Sequence, residues 1–384
     1  MADLILNEEE QMLQNLVRDF ADRELAPRAR EVDEKAEFSW ENWEGMTRLG
    51  LTGTTIDPEH GGSGGGYRQM SIVASEVARG DASASVCLLT HVSLGTITIQ
   101  RFGNEEQRRR LIPPLAAGKG IAAFALTEPG GGSDVAAMRT TAVERDGTYF
   151  LNGSKTFITN ASEAETIVVF ATSDTAKGHK GISVFAVPRN SPGLQVNPLH
   201  GKMGMRGSST GEIVFQDTPV PAENLLGEES RGFHHAMEIL TASRIIIAAQ
   251  CVGIGQSALE TAVRYAQQRE SFGRPIAQHQ AIQFMLADMA TAVYAARVAT
   301  MNAASLKDNA EPFLAQASMS KLIASEMCEK VASQALQVHG GYGYFVDTAI
   351  QRIFRDARVT TIYEGTSEIQ RLVIARQVLA EYPV

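Results

Sequence analysis

The chain has 384 residues, of which 44% are hydrophobic and 21% charged, and this composition is typical of a globular protein with two or three domains. Its 35 basic and 44 acidic residues give a net charge of −9, which argues against a surface for nucleic acid. The three cysteines are far apart and form no CxxC pattern, which excludes a disulfide framework and suits a reducing compartment.

Neither export nor membrane insertion is predicted. The first ten residues, MADLILNEEE, are acidic, unlike a signal or transit peptide. The longest apolar stretch, IIIAAQCVGIG, is interrupted by Gln250 and is too short to span a bilayer. We therefore expect a cytoplasmic protein that binds neither membranes nor nucleic acid.

Residues 1–120 are predicted to form a helical domain. The segment LNEEEQMLQNLVRDFADREL has apolar residues at helical spacing from Met12 to Phe20 and acidic residues in its first turn. A glycine-rich break, EHGGSGGG, lies at 59–66, and the helical pattern resumes in YRQMSIVASEVARG and SVCLLTHVSLGTITIQRFG.

Residues 121–230 predict a small β domain. The runs TIVVFAT, GISVFAVP and GEIVFQDTPV are rich in β-branched and aromatic residues and are bounded by Gly, Pro and Asp. In TYFLNGSKTFITN, the pair Asn152-Gly153 lies between two extended runs and predicts a hairpin turn.

Residues 231–384 predict a domain of four or five long helices. One of them, ASMSKLIASEMCEKVASQALQVHGG, is expected to end at Gly340-Gly341, a C-cap signal. Its predicted apolar face comprises Met319, Leu322, Ile323, Met327 and Val331. Because helices, strands and helices follow one another without alternation, the sequence predicts an α+β fold rather than a doubly wound sheet.

Two patterns resemble ligand motifs but lack the right context. CVGIGQSA matches GxGxxA at Gly253, Gly255 and Ala258, yet it follows a helical segment rather than a strand, so close helix packing is the better explanation. The pair His234-His235 has no acidic or thiolate partner at ligand spacing, so we expect no metal site.

Three glycine- or arginine-containing segments carry more information. In FALTEPGGGSDV, three glycines open the backbone N–H groups to an anion, although a plain surface turn explains the segment equally well. QRESFGRP places Arg269 and Arg274 around Phe272, which suits a phosphate and a planar ring, or simply a basic helix end. LQVHGGYGY taken alone is best explained as an ordinary C-cap.

The segment IYEGTSEIQR, residues 362–371, contains a carboxylate that local structure does not explain. Ser367 and Gln370 form a predicted capping box for the helix that follows, but Glu364 lies before this cap. Its neighbours Ile362 and Tyr363 are apolar or aromatic, and Gly365 leaves one side open. We expect these neighbours to desolvate the carboxylate and raise its pKa.

Taken together, in order and spacing, these segments resemble the acyl-CoA dehydrogenases of the short- or medium-chain type, over nearly the whole chain. The matching segments are FALTEPGGGSDV, LNGSKTFITN, RESFGRP…HQAIQFMLADM, QVHGGYGY and IYEGTSEIQRLVIARQVL. The resemblance implies an N-terminal helical domain (1–120), a central β domain (121–230) and a C-terminal four-helix bundle (231–384). It also implies FAD, a homotetramer, an acyl-CoA substrate in fatty acid oxidation, and an electron-transfer flavoprotein as electron acceptor.

The resemblance also implies a role for individual residues. Glu364 would remove the α-proton of the thioester while hydride leaves the β-carbon for flavin N5, with the thioester carbonyl held by the backbone N–H of Glu364 and a ribityl hydroxyl. The implied FAD contacts are Phe124, Leu126, Thr127, Gly132, Ser133, Phe157, Ile158, Thr159, Arg269, Phe272, Gln280, Gln337, Val338, Gly340, Gly341, Thr366 and Glu368. The implied substrate contacts are Ser133, Thr241, Arg244, Tyr363 and Gly365.

Departures from the family pattern limit the substrate. Thr241 stands where many relatives have an Asp that binds pantetheine, and Phe157 where many have Trp. Ser243 occupies the position of the base in some branched-chain enzymes and cannot act as one, and ASASVCLLTH lacks the arginine of glutaryl-type enzymes.

The acyl pocket is expected to end at the helix ASVCLLTHVSLG. Thr90 and His91, with Cys87, would form a partly polar far wall, which predicts a short-to-medium or compact (branched or cyclic) acyl group. The alternative is that His91 faces another helix and that the pocket runs past it. Alternatives for the whole protein are an acyl-CoA oxidase or flavin monooxygenase on the same fold, or a non-catalytic flavin-binding protein.

Overall fold

The computed structural model describes residues 6–382, and the first part of this range is helical, as predicted. Its helices are α1 (Glu8–Phe20), α2 (Ala26–Lys35), α3 (Trp40–Arg48), α4 (Tyr67–Gly80), α5 (Ala82–Leu89), α6 (Ile97–Phe102) and α7 (Glu105–Ala116). Single π-helical segments, Ala21–Leu25 and Thr90–Thr96, join α1 to α2 and α5 to α6 without a break. Asn7 begins α1 with a capping box to Glu10, which explains why the acidic first turn is stable.

The middle of the chain forms a seven-stranded sheet. Its strands are β1 (Ala122–Ala125), β2 (Thr141–Arg145), β3 (Thr148–Thr159), β4 (Thr166–Thr172), β5 (Ile182–Pro188), β6 (Leu194–Pro198) and β7 (Thr210–Pro221). The order is β1-β4-β2-β3-β7-β6, and β5 also pairs with β4. β4 and β5 are almost wholly buried, so the sheet has its own core.

The predicted hairpin turn at Asn152-Gly153 is wrong. These residues lie inside β3, at a register shift against β7, and Gly153 has a φ of +142°. The turn between β2 and β3 is Asp146-Gly147, whose φ values of +51° and +77° are those that a two-residue hairpin requires. Both dipeptides carry the same local signal, and only the pairing of the strands decides between them.

The last part of the chain is helical, as predicted, and contains α8 (Gly232–Gln268), α9 (Gln280–Asp308), α10 (Leu314–His339), α11 (Ala349–Ala357) and α12 (Ser367–Glu381). Helix α10 packs against α8, α9 and α12, which makes the four-helix bundle, and α4 packs on the outer side of α8. The two-residue strands β8 (Glu270–Ser271) and β9 (Arg274–Pro275) form a small hairpin between α8 and α9. The domain limits expected after residues 120 and 230 stay predictions.

The buried face of α10 differs from the predicted apolar stripe. Ile323 is 45% exposed, whereas Lys321 is fully buried. Small residues such as Ala324 and Ser325 make up most of the buried face, because α10 lies close to α8. The C-cap prediction is confirmed: α10 ends at His339, and Gly340 has a φ of +57°.

The predicted packing role of the GxGxxA pattern is supported. A Cβ on Gly253 would lie 2.1 Å from the backbone oxygen of Ser75, and one on Gly255 would lie 2.8 Å from Met327 Sδ. These glycines therefore let α8 approach its neighbours closely, and they are buried in the middle of a helix rather than at its N-terminus.

Two helical segments are longer and more apolar than the sequence prediction allowed. Ala82–Phe102 and Gly232–Gln268 both have the length and hydropathy of a membrane span. In their most apolar windows, 94% and 78% of the residues are buried inside the protein. Their apolar character is thus accounted for by the core of the fold.

Candidate active site

The turn that carries Glu364 has an unusual backbone. Glu364 and Gly365 follow one another with φ values of +54° and +88°, the left-handed region that side chains other than glycine rarely adopt. The carbonyl oxygen of Gly365 accepts hydrogen bonds from Lys321 Nζ at 2.8 Å and Gln370 Nε2 at 3.0 Å. A Cβ on Gly365 would lie 2.6 Å from that same Gln370 nitrogen, so a larger residue here would have to displace Gln370.

The predicted capping box after this turn is wrong. The N-cap of α12 is Thr366, whose hydroxyl accepts from the backbone N–H of Ile369 at 3.3 Å. Gln370 does not reach back to the cap, since its amide donates to the carbonyls of the turn. The hydroxyl of Ser367 is buried and has no hydrogen-bond partner within residues 6–382.

The Glu364 carboxylate lies between charged and polar groups from two helices. Its Oε2 accepts a hydrogen bond from Ser243 Oγ at 2.9 Å, and Arg244 of α8 and Lys321 of α10 add positive charge. Burial raises the pKa of Glu364 above its usual range, against the hydrogen bond and the two cations, which lower it. The side chain remains partly exposed and can be reached.

Desolvation raises this pKa, as expected, but Ile362 is not its main source. Ile362 is 52% exposed and shields the carboxylate little. Tyr363 turns its hydroxyl to Oε1 of Gln250. Ser243, considered in the sequence only as a residue that cannot be a base, is the donor that orients the base. No local signal marks Ser243 or Lys321, because both reach Glu364 only when the bundle is assembled.

The predicted substrate contacts on α8 are already partly engaged within the protein. Arg244 is buried and donates to Ser318 Oγ at 3.1 Å, while its Nε has no partner among the described residues. Thr241 donates its hydroxyl proton to the Met237 carbonyl at 2.7 Å. Thr241 can therefore only accept a further hydrogen bond, as an Asp carboxylate at this position would.

The glycine-rich segment after β1 is held by a buried ion pair. Glu128 accepts from Lys155 Nζ at 2.7 Å and from the backbone N–H groups of Arg139 and Thr140 at 2.7 and 2.9 Å. Lys155 also donates to the Leu126 carbonyl at 3.1 Å. These contacts enclose a cavity of about 90 Å³ lined by Leu126, Glu128, Gly130, Gly131, Gly132, Asp134, Val135, Ala137, Met138 and Arg139.

The β-domain residues expected to contact FAD divide into two kinds. The side chains of Phe124, Leu126 and Ile158 are buried in the domain's own core, which leaves mainly their backbone for a ligand. Gly132 and Ser133 are exposed, and Phe157 is 71% exposed with a φ of +58°. Thr127 and Thr159 are half-buried.

Four of the helical residues expected to contact FAD come together in one cavity. Arg269, Val338, Gly340 and Gly341 line one cavity of about 620 Å³. The Arg269 guanidinium lies 5.3 Å from the centre of the Tyr342 ring. Phe272, at the tip of the β8–β9 hairpin, is 94% exposed. Gln280, Gln337 and Glu368 are exposed, and Thr366 is half-buried.

These features fit FAD, a large anionic cofactor with a flat ring. No protein atom lies within 4 Å of a Cβ placed on Gly130, Gly131, Gly340 or Gly341, so a ligand can approach the backbone there. The 620 Å³ cavity offers a guanidinium and aromatic rings, which suit a pyrophosphate and an adenine. Phe157 and Phe272 expose uncovered aromatic faces.

The expectation that His91 presents a polar group to the acyl chain is wrong. Its Nδ1 accepts from the Ala122 N–H at 2.9 Å, and its Nε2 therefore carries the proton and donates to the Leu115 carbonyl at 3.0 Å. The ring meets Trp43 edge-on at 5.1 Å, and burial lowers the pKa of His91 to about 4. His91 thus faces two other helices, α3 and α7, as the alternative held, and it also contacts β1. Thr90 is buried beside it.

Comparison with known proteins agrees with this geometry. Sequence models of the acyl-CoA dehydrogenase N-terminal, middle and C-terminal domains match residues 7–119, 123–218 and 230–379. An acyl-CoA dehydrogenase of Bacillus subtilis is 46% identical over 97% of this chain and 99% of its own. The mitochondrial short-chain specific acyl-CoA dehydrogenase of Homo sapiens is 46% identical over 98% of this chain and 92% of its own. The structure of butyryl-CoA dehydrogenase from Megasphaera elsdenii superimposes with a TM-score of 0.95 at 40% identity, covering 97% of this chain and 99% of that one. This chain belongs to the acyl-CoA dehydrogenase family.

Proposed function

We propose that the protein is an FAD-dependent acyl-CoA dehydrogenase that introduces an α,β double bond into its substrate, with Glu364 as the base. One observation carries the assignment. Glu364 is a partly exposed carboxylate on a strained turn, its pKa is raised by burial, and it is oriented by Ser243. A non-catalytic flavin-binding protein has no need for such a residue, and strained backbone of this kind concentrates at functional sites.

The protein's own groups then act on the acyl-CoA as follows. Glu364 takes the α-proton, and its backbone N–H donates to the thioester carbonyl, where negative charge develops. Ser243 keeps one carboxylate oxygen occupied, so the other faces the substrate. When FAD is bound, it supplies the acceptor for the two electrons that leave the β-carbon as hydride. Arg269 and the glycines at 130–132 and 340–341 are the groups we assign to its phosphates and adenosine.

For the substrate, we propose a short-to-medium acyl-CoA. The support is now the similarity to enzymes described as short-chain specific and as a butyryl-CoA dehydrogenase. His91 gives no support for a short acyl group, because backbone groups satisfy both of its ring nitrogens.

We further propose a cytoplasmic homotetramer that passes its electrons to an electron-transfer flavoprotein. Support for the oligomer comes from the described surface of α9, α10 and α12. Large apolar side chains there are uncovered, among them Phe284, Tyr294, Ile323, Leu372 and Leu379. Acceptance of electrons by a separate flavoprotein is the property that distinguishes dehydrogenases from oxidases on this fold.

The substitution Glu364→Gln tests the assignment. It keeps the shape of the side chain but removes the base, so FAD content should be unchanged while turnover of butyryl-CoA falls by about 10²–10⁴-fold. Loss of flavin colour on anaerobic mixing with butyryl-CoA measures the chemical step directly. Glu381→Gln, at the exposed end of α12, is the matched control and should bleach like the unmodified protein. Rapid bleaching by the Glu364→Gln protein would contradict the proposal.

Acyl length is tested with the same assay. We expect kcat/KM for thioesters of four to eight carbons to exceed that for sixteen carbons. A maximum at sixteen carbons would overturn the substrate proposal and leave the base assignment intact.

A further inference from the structure

Lys321 is a fully buried lysine whose hydrogen-bond partner is a backbone carbonyl rather than a carboxylate. It lies on α10, and its Nζ donates to the Gly365 oxygen at 2.8 Å. Within residues 6–382, no carboxylate lies within ion-pair distance of it. The other fully buried lysine, Lys155, is paired with Glu128 at 2.7 Å. Burying an ammonium group costs several kcal/mol, so an unpaired one calls for a function.

The contact of Lys321 falls on the turn that carries the base. The Gly365 carbonyl belongs to the peptide that directly follows Glu364, and both residues have left-handed backbone conformations. Gln370 Nε2 donates to the same oxygen at 3.0 Å from the other side. A side chain from α10 and one from α12 therefore fix one carbonyl, and this fixes the direction in which the turn presents Glu364 and its N–H.

Lys321 also places charge beside the carboxylate. The charged and titratable groups around Glu364 and Lys321 are Arg244 and Cys251 of α8, and Tyr363 and Glu368 on either side of the turn. Lys321 and Arg244 lower the pKa of Glu364, and Glu364 in turn raises that of Lys321. Arg244 bonds Ser318, so of the two cations only Lys321 also bonds the backbone of the turn.

We propose that Lys321 is a positioning residue for the Glu364 base: its ammonium group holds the Gly365 carbonyl, and its positive charge faces the carboxylate across the turn. The proposal rests on the assignment of Glu364 as the base. Lys321 itself touches neither substrate nor cofactor, and it acts by fixing the direction and the charge state of the residue that does.

Two substitutions separate the contribution of the Lys321 hydrogen bond from that of its charge. Lys321→Met removes the charge and the hydrogen bond, whereas Lys321→Gln removes the charge but keeps a donor for the Gly365 carbonyl. The matched control is Lys330→Met, the same change at an exposed position of the same helix. For each protein, kcat and KM for butyryl-CoA are measured with an artificial electron acceptor across pH 5–9, together with FAD content.

Loss of the nearby cation should raise the pKa of the Glu364 carboxyl. The acid limb of kcat/KM should therefore move to higher pH by about one unit in both variants. Lys321→Met should in addition lower kcat at its pH optimum by roughly tenfold to 100-fold, because a misdirected base is slow, with KM little changed. Lys321→Gln should keep most of the kcat that Lys321→Met loses. Lys330→Met should behave like the unmodified protein.

The outcomes distinguish the inference from the proposed function. If the acid limb and kcat are unchanged in Lys321→Met, or if the loss in both variants only follows lost FAD and folded protein, the positioning role is wrong. If Lys321→Met does not fold, the pH profile of Lys321→Gln decides alone. If Glu364→Gln turns over normally, the base assignment itself fails, whatever the lysine variants do.

Discussion

Two consecutive residues, Glu364 and Gly365, hold left-handed backbone conformations where the base is presented. Such a conformation costs a non-glycine residue about 1–2 kcal/mol, and here contacts from α10 and α12 offset that cost. The strain directs a carboxylate out of the chain immediately before a helix begins. Gly365 is needed for two reasons: its positive φ, and the Gln370 amide that occupies the space of a Cβ.

Gly365→Ala, compared with Gly50→Ala as its control, separates the effect of the positive φ from the effect of the contact with Gln370. Gly50 also has a positive φ, +70°, but no atom lies within 4 Å of a Cβ placed there. Gly50→Ala should lower stability by about 1 kcal/mol through backbone strain alone and leave kcat unchanged. Gly365→Ala should lower stability further and reduce kcat about tenfold or more, since Gln370 must move. Thermal unfolding and steady-state kinetics measure both, and equal effects of the two substitutions would contradict the role given to Gln370.

At this scale, the sequence predicted the base but not its partners. Glu364 stood out because no capping motif explained it and because it lies next to a glycine. Ser243 lies 121 positions from Glu364, and Lys321 lies 44 positions from Gly365, so their contacts exist only in the folded bundle. The capping prediction failed because Thr366, one residue earlier, is an equally good N-cap and leaves Gln370 free for the turn.

At the scale of secondary-structure elements, β3 and the glycine-rich segment after β1 depend on each other. Lys155, in the middle of β3, bonds both the Leu126 carbonyl and Glu128. Burial raises the pKa of Glu128, but the charge of Lys155 and the hydrogen bonds the carboxylate accepts lower it by more, so its pKa is lowered overall. The sequence predicted the segment as a ligand loop or a plain turn. It did not predict the ion pair, because the alternation of polar and apolar residues in a strand does not show that a lysine is buried.

We expect Glu128→Gln to destabilise the protein at neutral pH by about 3–5 kcal/mol, since it leaves Lys155 buried without a counter-charge. A carboxyl with a lowered folded pKa contributes stability that is present above its unfolded value, 4.5, and is lost as pH falls through the folded value. The gap between the unfolding temperatures of the variant and the unmodified protein should therefore be widest near pH 7 and narrow below about pH 4. A gap that does not change with pH would mean that charge is not the cause. Glu144→Gln, at an exposed position of β2, is the control, and its unfolding temperature should differ little from that of the unmodified protein.

At the scale of the whole molecule, one chain contains two separate groups of residues suited to FAD. The first surrounds the glycine-rich segment of the β domain, and the second lines the 620 Å³ cavity at the end of the bundle. The membership of each group is what the resemblance to the acyl-CoA dehydrogenases implied for the sequence. In the homotetramer proposed above, the two groups would meet in one complete site only when several chains assemble. Uncovered aromatic side chains at both places, Phe157 and Phe272, are consistent with a site completed by a second chain.

Arg269 connects cofactor binding with assembly in this arrangement. Its guanidinium lies over the Tyr342 ring and lines the same cavity as Gly340 and Gly341, and we propose that it binds a phosphate there by two hydrogen bonds. If a neighbouring chain supplies the rest of the cofactor-binding site, Arg269→Ala should release FAD on dilution and shift the tetramer towards smaller species. Arg269→Lys should restore only part of the binding, because a single ammonium cannot reproduce the paired donors. Arg264→Ala, at an exposed position near the end of α8, which stops just before Arg269, serves as the control. Flavin absorbance after gel filtration, together with mass by light scattering, measures both effects. An Arg269→Ala protein that keeps its full flavin content and its mass would show that the two groups of residues do not share one cofactor.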